Sequence, residues 1–150
     1  MGRERARLAV AMNNAGLRLA TMRATANFAT IRTMRPTVLI VDDHREFRAS
    51  AAALLEAEGF AVVGEAADGH EAIEAVERLH PQIVLLDIQL PDLDGFAVAE
   101  QLAMGSDPPM VVLTSSREAA TYSPRLEATA ALGFISKREL SGSALAALVG

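Results

Sequence analysis

Five residues with complementary chemistry lie at the ends of short apolar segments in this 150-residue chain: Asp42, Asp43, Asp87, Thr114 and Lys137. Carboxylates brought close together repel each other, so either one takes up a proton or the site holds a cation. Carboxylates combined with a phosphate oxygen suit Mg²⁺, which keeps several of its waters. A lysine ammonium binds phosphoryl oxygens, and a threonine hydroxyl can donate to the same group. Brought together, these residues could place a phosphoryl group on a carboxylate.

The segments that precede these residues predict strands. Residues 38–41, 83–86, 110–113 and 134–136 are short and mostly apolar, which is typical of strands buried inside a parallel sheet. A further strand is predicted at residues 60–63, and nothing chemically comparable follows it. Apolar residues at helical spacing predict a helix after each strand. The landmarks of these helices are Gly59, the Asp68–Glu71 capping box, Pro81, Asp94–Gly95, the Ser123–Pro124 pair that starts the fourth helix, Gly133 that ends it, and Ser141.

Five strands alternating with five helices predict an α/β fold, a three-layer sandwich around a parallel sheet with right-handed crossovers. In a sheet ordered 2-1-3-4-5, strands 1, 3, 4 and 5 are neighbours and the topological switch point lies between strands 1 and 3. The polar residues would therefore converge on one pocket at the carboxyl edge of the sheet. The second strand, without a polar residue of this kind, would be the edge strand.

Charge divides the chain in two. Residues 1–35 contain seven arginines and one glutamate, whereas residues 36–150 contain seven basic and eighteen acidic residues. We expect residues 1–35 to be a disordered basic extension, or a product of start-site choice with Met34 as the true start. Residues 36–150 suit a single domain and are too acidic for non-specific binding to nucleic acid. No apolar run reaches the length of about 20 residues that crosses a bilayer, so we expect a cytoplasmic protein with no membrane partner.

Four segments carry a family resemblance: residues 38–43 (VLIVDD), 85–95 (LLDIQLPDLDG), 111–115 (VVLTS) and 133–137 (GFISK). Together they resemble the receiver domain of bacterial two-component response regulators, over residues 36–150. The resemblance implies the CheY-like, flavodoxin-like (βα)5 fold with strand order 2-1-3-4-5. It also implies that Asp87 is the phosphoacceptor for a histidine kinase or a phosphotransfer protein.

The same resemblance implies roles for the residues around the phosphoacceptor. Asp43 would bind Mg²⁺ directly and Asp42 largely through water, with Asp87 and the backbone carbonyl of Gln89 as further ligands. Thr114 and Lys137 would bind the phosphoryl group. Phe134 falls at the position of an aromatic switch, whose ring turns inward when the threonine moves. The implied chain is a stand-alone receiver without enzyme activity beyond its own phosphorylation and dephosphorylation; it signals by contacts with an unknown downstream protein or by a phosphorylation-dependent homodimer.

Other interpretations remain open at this point. The chain could be the receiver of a transcriptional regulator without its DNA-binding domain, a Mg²⁺-dependent phosphohydrolase with Asp87 as nucleophile, or a degenerate receiver that only docks proteins. Gln89 disfavours the hydrolase, because such sites typically use a second acid two residues after the nucleophile. The residues themselves have ordinary alternatives: Asp42–Asp43 as a helix cap, Asp87 as a turn cap, Lys137 as a surface charge, and Thr114 and Phe134 as packing residues.

Overall fold

The structure is a computed structural model, and it describes residues 35–150. The extension expected over residues 1–34 lies outside the described residues, and that expectation stays a prediction. Ten elements alternate along the rest of the chain, with 3₁₀ turns at Ala119–Tyr122 and Lys137–Glu139. They are β1 (Thr37–Val41), α1 (Arg45–Ala57), β2 (Ala61–Ala66), α2 (Gly69–Leu79), β3 (Ile83–Asp87), α3 (Gly95–Ala103), β4 (Met110–Ser115), α4 (Ser123–Ala128), β5 (Gly133–Ser136) and α5 (Gly142–Val149).

The five strands form one parallel sheet in the order β2-β1-β3-β4-β5, so the predicted fold and strand order are confirmed. The register places Val38 opposite Ile83 and Asp87 opposite Thr114. Parallel strands bring their carboxyl ends to the same edge of the sheet. The pairing of Asp87 with Thr114 therefore already sets two of the candidate residues side by side.

Two hydrophobic clusters cover the faces of the sheet, because successive side chains of a strand point to opposite sides. In β1, Leu39 and Val41 belong to the cluster that packs against α2 and α3, whereas Val38 and Ile40 belong to the cluster under α1 and α5. All four side chains are fully buried. Each such burial contributes about 1.5–3 kcal/mol relative to exposure. The double burial explains why β1 and β3 are apolar without alternation.

Most predicted helix ends have the expected chemistry. Asp68 accepts a hydrogen bond from the N–H of Glu71 at 2.8 Å, and the Glu71 carboxylate accepts from the N–H of Ala67 at 2.8 Å. This is the predicted capping box with one difference: the Glu71 carboxylate accepts from the N–H of Ala67 and not from that of the N-cap residue Asp68. Gly59 follows the end of α1 with φ = 105°, a conformation that favours glycine. Within residues 35–150 no helix is long and apolar enough to cross a membrane.

The predicted bounds of the fourth helix are wrong. Ser123 lies inside α4 rather than capping it, and α4 ends at Ala128. The Thr129 hydroxyl accepts from the N–H of Ala131 at 3.1 Å, a local bond that competes with helical hydrogen bonding. Gly133 instead opens β5, where an added Cβ would lie 2.9 Å from the side chain of Leu148 in α5. The glycine therefore permits close packing of a helix on a strand and does not end the preceding helix.

Candidate functional site

Asp42 and Asp43 follow β1, as predicted, at the carboxyl edge of the sheet. Asp42 is fully buried, whereas 36% of the Asp43 side chain is exposed. One carboxylate oxygen of Asp42 accepts from the N–H of His44 at 2.8 Å. The other lies 2.6 Å from Nζ of Lys137, which reaches it from the end of β5. The lysine predicted from its place after β5 thus compensates a carboxylate that has no access to water.

Asp87 ends β3 and is nearly as buried as Asp42, with 5% of its side chain exposed. Nζ of Lys137 lies 3.5 Å from one carboxylate oxygen, and the N–H of Gln89 donates to the other at 3.2 Å. Burial, with a contribution from the negative charge of Asp42, raises the pKa of Asp87 to about 6. Lys137 and the Gln89 N–H act in the opposite direction. One ammonium does not fully offset two buried carboxylates.

The donor set fits a divalent cation. Among residues 35–150, ligand atoms from Asp42, Asp43, His44 and Asp87 lie within 4.8 Å of one another. Three carboxylates face a single ammonium there, and the exposed Asp43 leaves one side open to water. This combination suits Mg²⁺, which binds through a few carboxylates and retains waters. The Gln89 carbonyl, implied as a further ligand, stays a prediction.

His44 also belongs to this cluster, although it is not among the candidate residues singled out from the sequence. Its Nδ1 lies 3.2 Å from an oxygen of Asp42 and 3.2 Å from an oxygen of Asp43. The ring is 71% exposed, so it sits on the open side of the site. Its place immediately after the two aspartates was the sequence signal.

Thr114 lies in register with Asp87 on the neighbouring strand and is fully buried. Its Oγ1 has no hydrogen-bond partner among the described residues. Leaving a buried hydroxyl unpaired costs about 1–3 kcal/mol. The cost is understandable where a group absent from the protein itself, such as a phosphoryl oxygen, completes the bond.

Phe134 is half-buried at the start of β5 and packs against the cluster on the α2–α3 side. Its ring centroid lies 6.2 Å from that of Tyr122, which in turn lies 6.0 Å from Phe96. The Tyr122 hydroxyl is 3.0 Å from Oγ of buried Ser115. Tyr122 and Ser115 could not be recognised as partners from the sequence, because their contact arises from the packing of the turn after β4.

The loop after Asp87 is held close to the strand. The N–H of Gly95 donates to the carbonyl of Ile88 at 2.8 Å. Further along, the carboxylate of Asp92 accepts from the N–H groups of Gly69 and His70, at the start of α2. Although its partial loss of hydration raises the pKa of Asp92, these bonds together hold that pKa well below its usual range. The loop is therefore anchored to both β3 and α2.

Residues 38–149 match the family model of the response regulator receiver domain. This chain belongs to that family. The receiver is 41% identical over 78 residues to the transcriptional regulatory protein PdtaR of Mycobacterium tuberculosis, which covers 52% of this chain and 38% of that protein. It is 39% identical over 114 residues to a protein-glutamate methylesterase/protein-glutamine glutaminase of Anaeromyxobacter dehalogenans, covering 75% and 32%.

The signal receiver domain of NarL from Mycobacterium tuberculosis has the same fold. The two structures align with a TM-score of 0.67 and 32% identity, over 77% of this chain and 98% of that one. The chain spans less than half the length of the curated relatives it matches. The receiver domain places this protein in two-component signalling.

Proposed function

We propose that this receiver accepts a phosphoryl group on Asp87 from a histidine kinase or a phosphotransfer protein, in a Mg²⁺-dependent reaction. The observation that carries the proposal is the bridging position of Lys137, 2.6 Å from Asp42 and 3.5 Å from Asp87. An ammonium between two buried carboxylates is already where an incoming phosphoryl group needs positive charge. Mg²⁺, bound by Asp42, Asp43, Asp87 and the Gln89 carbonyl, would neutralise the remaining charge between donor and acceptor.

In the transfer itself, a carboxylate oxygen of Asp87 attacks the phosphorus atom. The new bond joins that oxygen to phosphorus, and the bond between phosphorus and the donor's leaving atom breaks, with the electron pair going to the leaving group. Lys137 stabilises the charge on the phosphoryl oxygens during this displacement. The acyl phosphate that results carries a charge of about −1.5 to −2, whereas the carboxylate that it replaces carried a single negative charge.

The added charge would favour a second conformation, because Thr114 gains a partner only in the phosphorylated state. The Thr114 hydroxyl would move toward the phosphoryl oxygen, and the ring of Phe134 would turn inward behind it. The change would be transmitted to the surface formed by α4, β5 and α5. There the receiver would contact a downstream protein or a second copy of itself.

The identity of that output is a separate proposal. Relatives include a transcriptional regulator and a methylesterase, and each is much longer than the matched receiver. We propose that these residues act in the cytoplasm as a switch, without binding nucleic acid and without turning over other substrates. A phosphohydrolase is disfavoured because Gln89, two residues after Asp87, cannot act as an acid.

Incubation of the full-length chain with acetyl phosphate and Mg²⁺, followed by intact mass measurement, tests the proposal. We expect one added phosphoryl group, which is absent in EDTA and absent from Asp87→Asn. Asp43→Asn is the matched control for the metal: it keeps the acceptor but should need more Mg²⁺. An adduct that persists in Asp87→Asn would move the acceptor elsewhere. No adduct, or turnover of a generic phosphomonoester, would overturn the switch in favour of a docking module or a hydrolase.

A further inference from the structure

Arg48 in the first turns of α1 contacts the backbone of the metal-binding turn. Its Nη1 donates to the carbonyl oxygen of Asp42 at 2.6 Å, and only 15% of its side chain is exposed. The contact lies on the peptide that joins Asp42 to Asp43. A guanidinium presents its donors in a rigid planar fork. Hydrogen bonds from two of its nitrogens to two different acceptors therefore fix the orientation of the whole group.

The anchor comes from β2, the edge strand, which carries none of the candidate site residues. Nε of Arg48 donates to a carboxylate oxygen of Glu65 at 3.0 Å. The next residue of β2, Ala66, accepts a hydrogen bond from the N–H of Asp42 at 3.0 Å. The end of β2 therefore holds both polar groups of the Asp42 backbone, the N–H directly and the carbonyl through Arg48.

This restraint matters because few contacts hold the Asp43 side chain itself in place. Among residues 35–150, its carboxylate contacts the exposed ring of His44 and neither a backbone N–H nor a Lys or Arg side chain. The direction of the Asp43 side chain is thus set chiefly by the peptide that precedes it. Metal ligands are commonly oriented by partners outside the first ring of contacts, and loss of such a partner typically costs about 10–100-fold in metal affinity.

We infer that Arg48, anchored by Glu65, is a positioning residue that holds the Asp42–Asp43 turn in the geometry needed to bind Mg²⁺. The inference rests on the proposed function of this site. It assigns no contact between Arg48 and the metal or the phosphoryl group. It does assign the edge strand β2 a part in the chemistry of its neighbours.

For Arg48, charge and geometry predict opposite effects on Mg²⁺ binding, and for the Arg48–Glu65 pair they predict a different additivity, which makes the inference testable. Removing a positive charge near a cation site should strengthen cation binding, and removing a negative charge should weaken it. In a purely electrostatic account, Arg48→Met tightens Mg²⁺ binding, Glu65→Ala weakens it, and the two effects add. If Arg48 positions the turn, both substitutions weaken binding, and Glu65→Ala adds little once Arg48 is gone.

The experiment measures the Mg²⁺ dissociation constant of the full-length chain by isothermal titration calorimetry, without a phosphodonor. We expect Arg48→Met to raise it about 10-fold. We expect Glu65→Ala to raise it less and to change it less than twofold in the Arg48→Met background. Arg45→Met is the matched control, because it removes the same charge from the first turn of the same helix and should not weaken binding.

Phosphorylation by acetyl phosphate provides the second measurement. A turn that is merely misplaced should need more Mg²⁺ for half-maximal rate and should recover most of the wild-type rate at saturating Mg²⁺. Unchanged or tighter Mg²⁺ binding in Arg48→Met overturns the inference. The inference is also overturned if the phosphorylation rate of Arg48→Met stays low at every Mg²⁺ concentration and its melting temperature is lowered. A wild-type chain that binds no Mg²⁺ or forms no adduct would instead overturn the proposed function.

Discussion

Gly95 is the residue whose replacement should most directly disturb the phosphoacceptor. It is the first residue of α3, and a Cβ added there would lie 2.4 Å from the carbonyl oxygen of Asp87 and 2.7 Å from Cα of Ile88. Real Cβ atoms essentially never approach other heavy atoms within 3.0 Å. Both crowded atoms belong to the backbone, so a side-chain rotation cannot relieve the contact. Gly95→Ala must push the loop away from the end of β3.

The expected cost follows from two opposing effects. Overpacking of a tightly packed position typically costs about 1–3 kcal/mol. Replacing glycine by alanine in a helix contributes up to about 1 kcal/mol in the favourable direction. Since the contact is with backbone on a fully buried strand, we expect the first effect to win and the free energy of unfolding to fall by about 2 kcal/mol. For a domain of this size the melting temperature should fall by about 8 °C.

Urea denaturation of the metal-free chain measures this cost, and Gly105→Ala is the matched control. Gly105 is exposed after α3, where an added Cβ would make an ordinary contact at 3.5 Å from the carbonyl of Leu102. That variant should stay within about 0.5 kcal/mol of the wild type. Gly95→Ala should also accept phosphate from acetyl phosphate at least tenfold more slowly, since a small displacement of a reacting group is costly. Wild-type stability together with a wild-type rate would refute the argument from close approach.

Two further predictions concern the buried polar groups. In EDTA, the free energy of unfolding should fall by up to about 3 kcal/mol as the pH rises from 4 to above 6. The reason is that folding raises the pKa of Asp87 from 3.8 to about 6, so the folded chain holds that proton more tightly than the unfolded chain. Urea titrations at several pH values should show this fall in the wild type, and the same fall in Asp87→Asn would contradict the prediction. Thr114→Val should stabilise the metal-free chain by about 1 kcal/mol, since it removes a buried hydroxyl without a partner among the described residues. The same substitution should abolish the phosphorylation-dependent change in amide chemical shifts, whereas Thr114→Ser should retain it. A destabilised Thr114→Val would show that the hydroxyl is paired in solution.

The places of the candidate residues in the fold could be predicted because each lies at, or directly after, the carboxyl end of a strand. A buried strand is recognised from its own composition, and a parallel sheet of known order then brings the strand ends together. Asp42, Asp87, Thr114 and Lys137 could therefore be placed without any long-range contact. Their chemical roles are a different matter and still depend on the experiments above.

The residues that the sequence did not predict are those that act across the chain. Glu65 was overlooked because β2 was expected to end at residue 63, before a glycine and a glutamate that favour a loop. The strand continues because its pairing with β1 skips one residue after Val62, and because Gly64 makes room for Leu79 of α2, whose Cδ1 would lie 2.6 Å from an added Cβ. Neither the irregular pairing nor the helix above it can be recognised from the local pattern.

The proposed phosphoryl-binding role of Lys137 accounts for a lysine, rather than an arginine, at this position. Lys137 is the only lysine in the sequence, and the other thirteen Lys or Arg residues are arginines. Nζ lies closer to Asp42 than to Asp87, and 4.6 Å from the ring of Phe47. To bind a phosphoryl group on Asp87, the Lys137 ammonium must move from Asp42 toward Asp87. It must do so in a confined space, since only 16% of the Lys137 side chain is exposed. A compact ammonium on a flexible stem can make that movement, whereas the planar fork of arginine would lock onto one carboxylate.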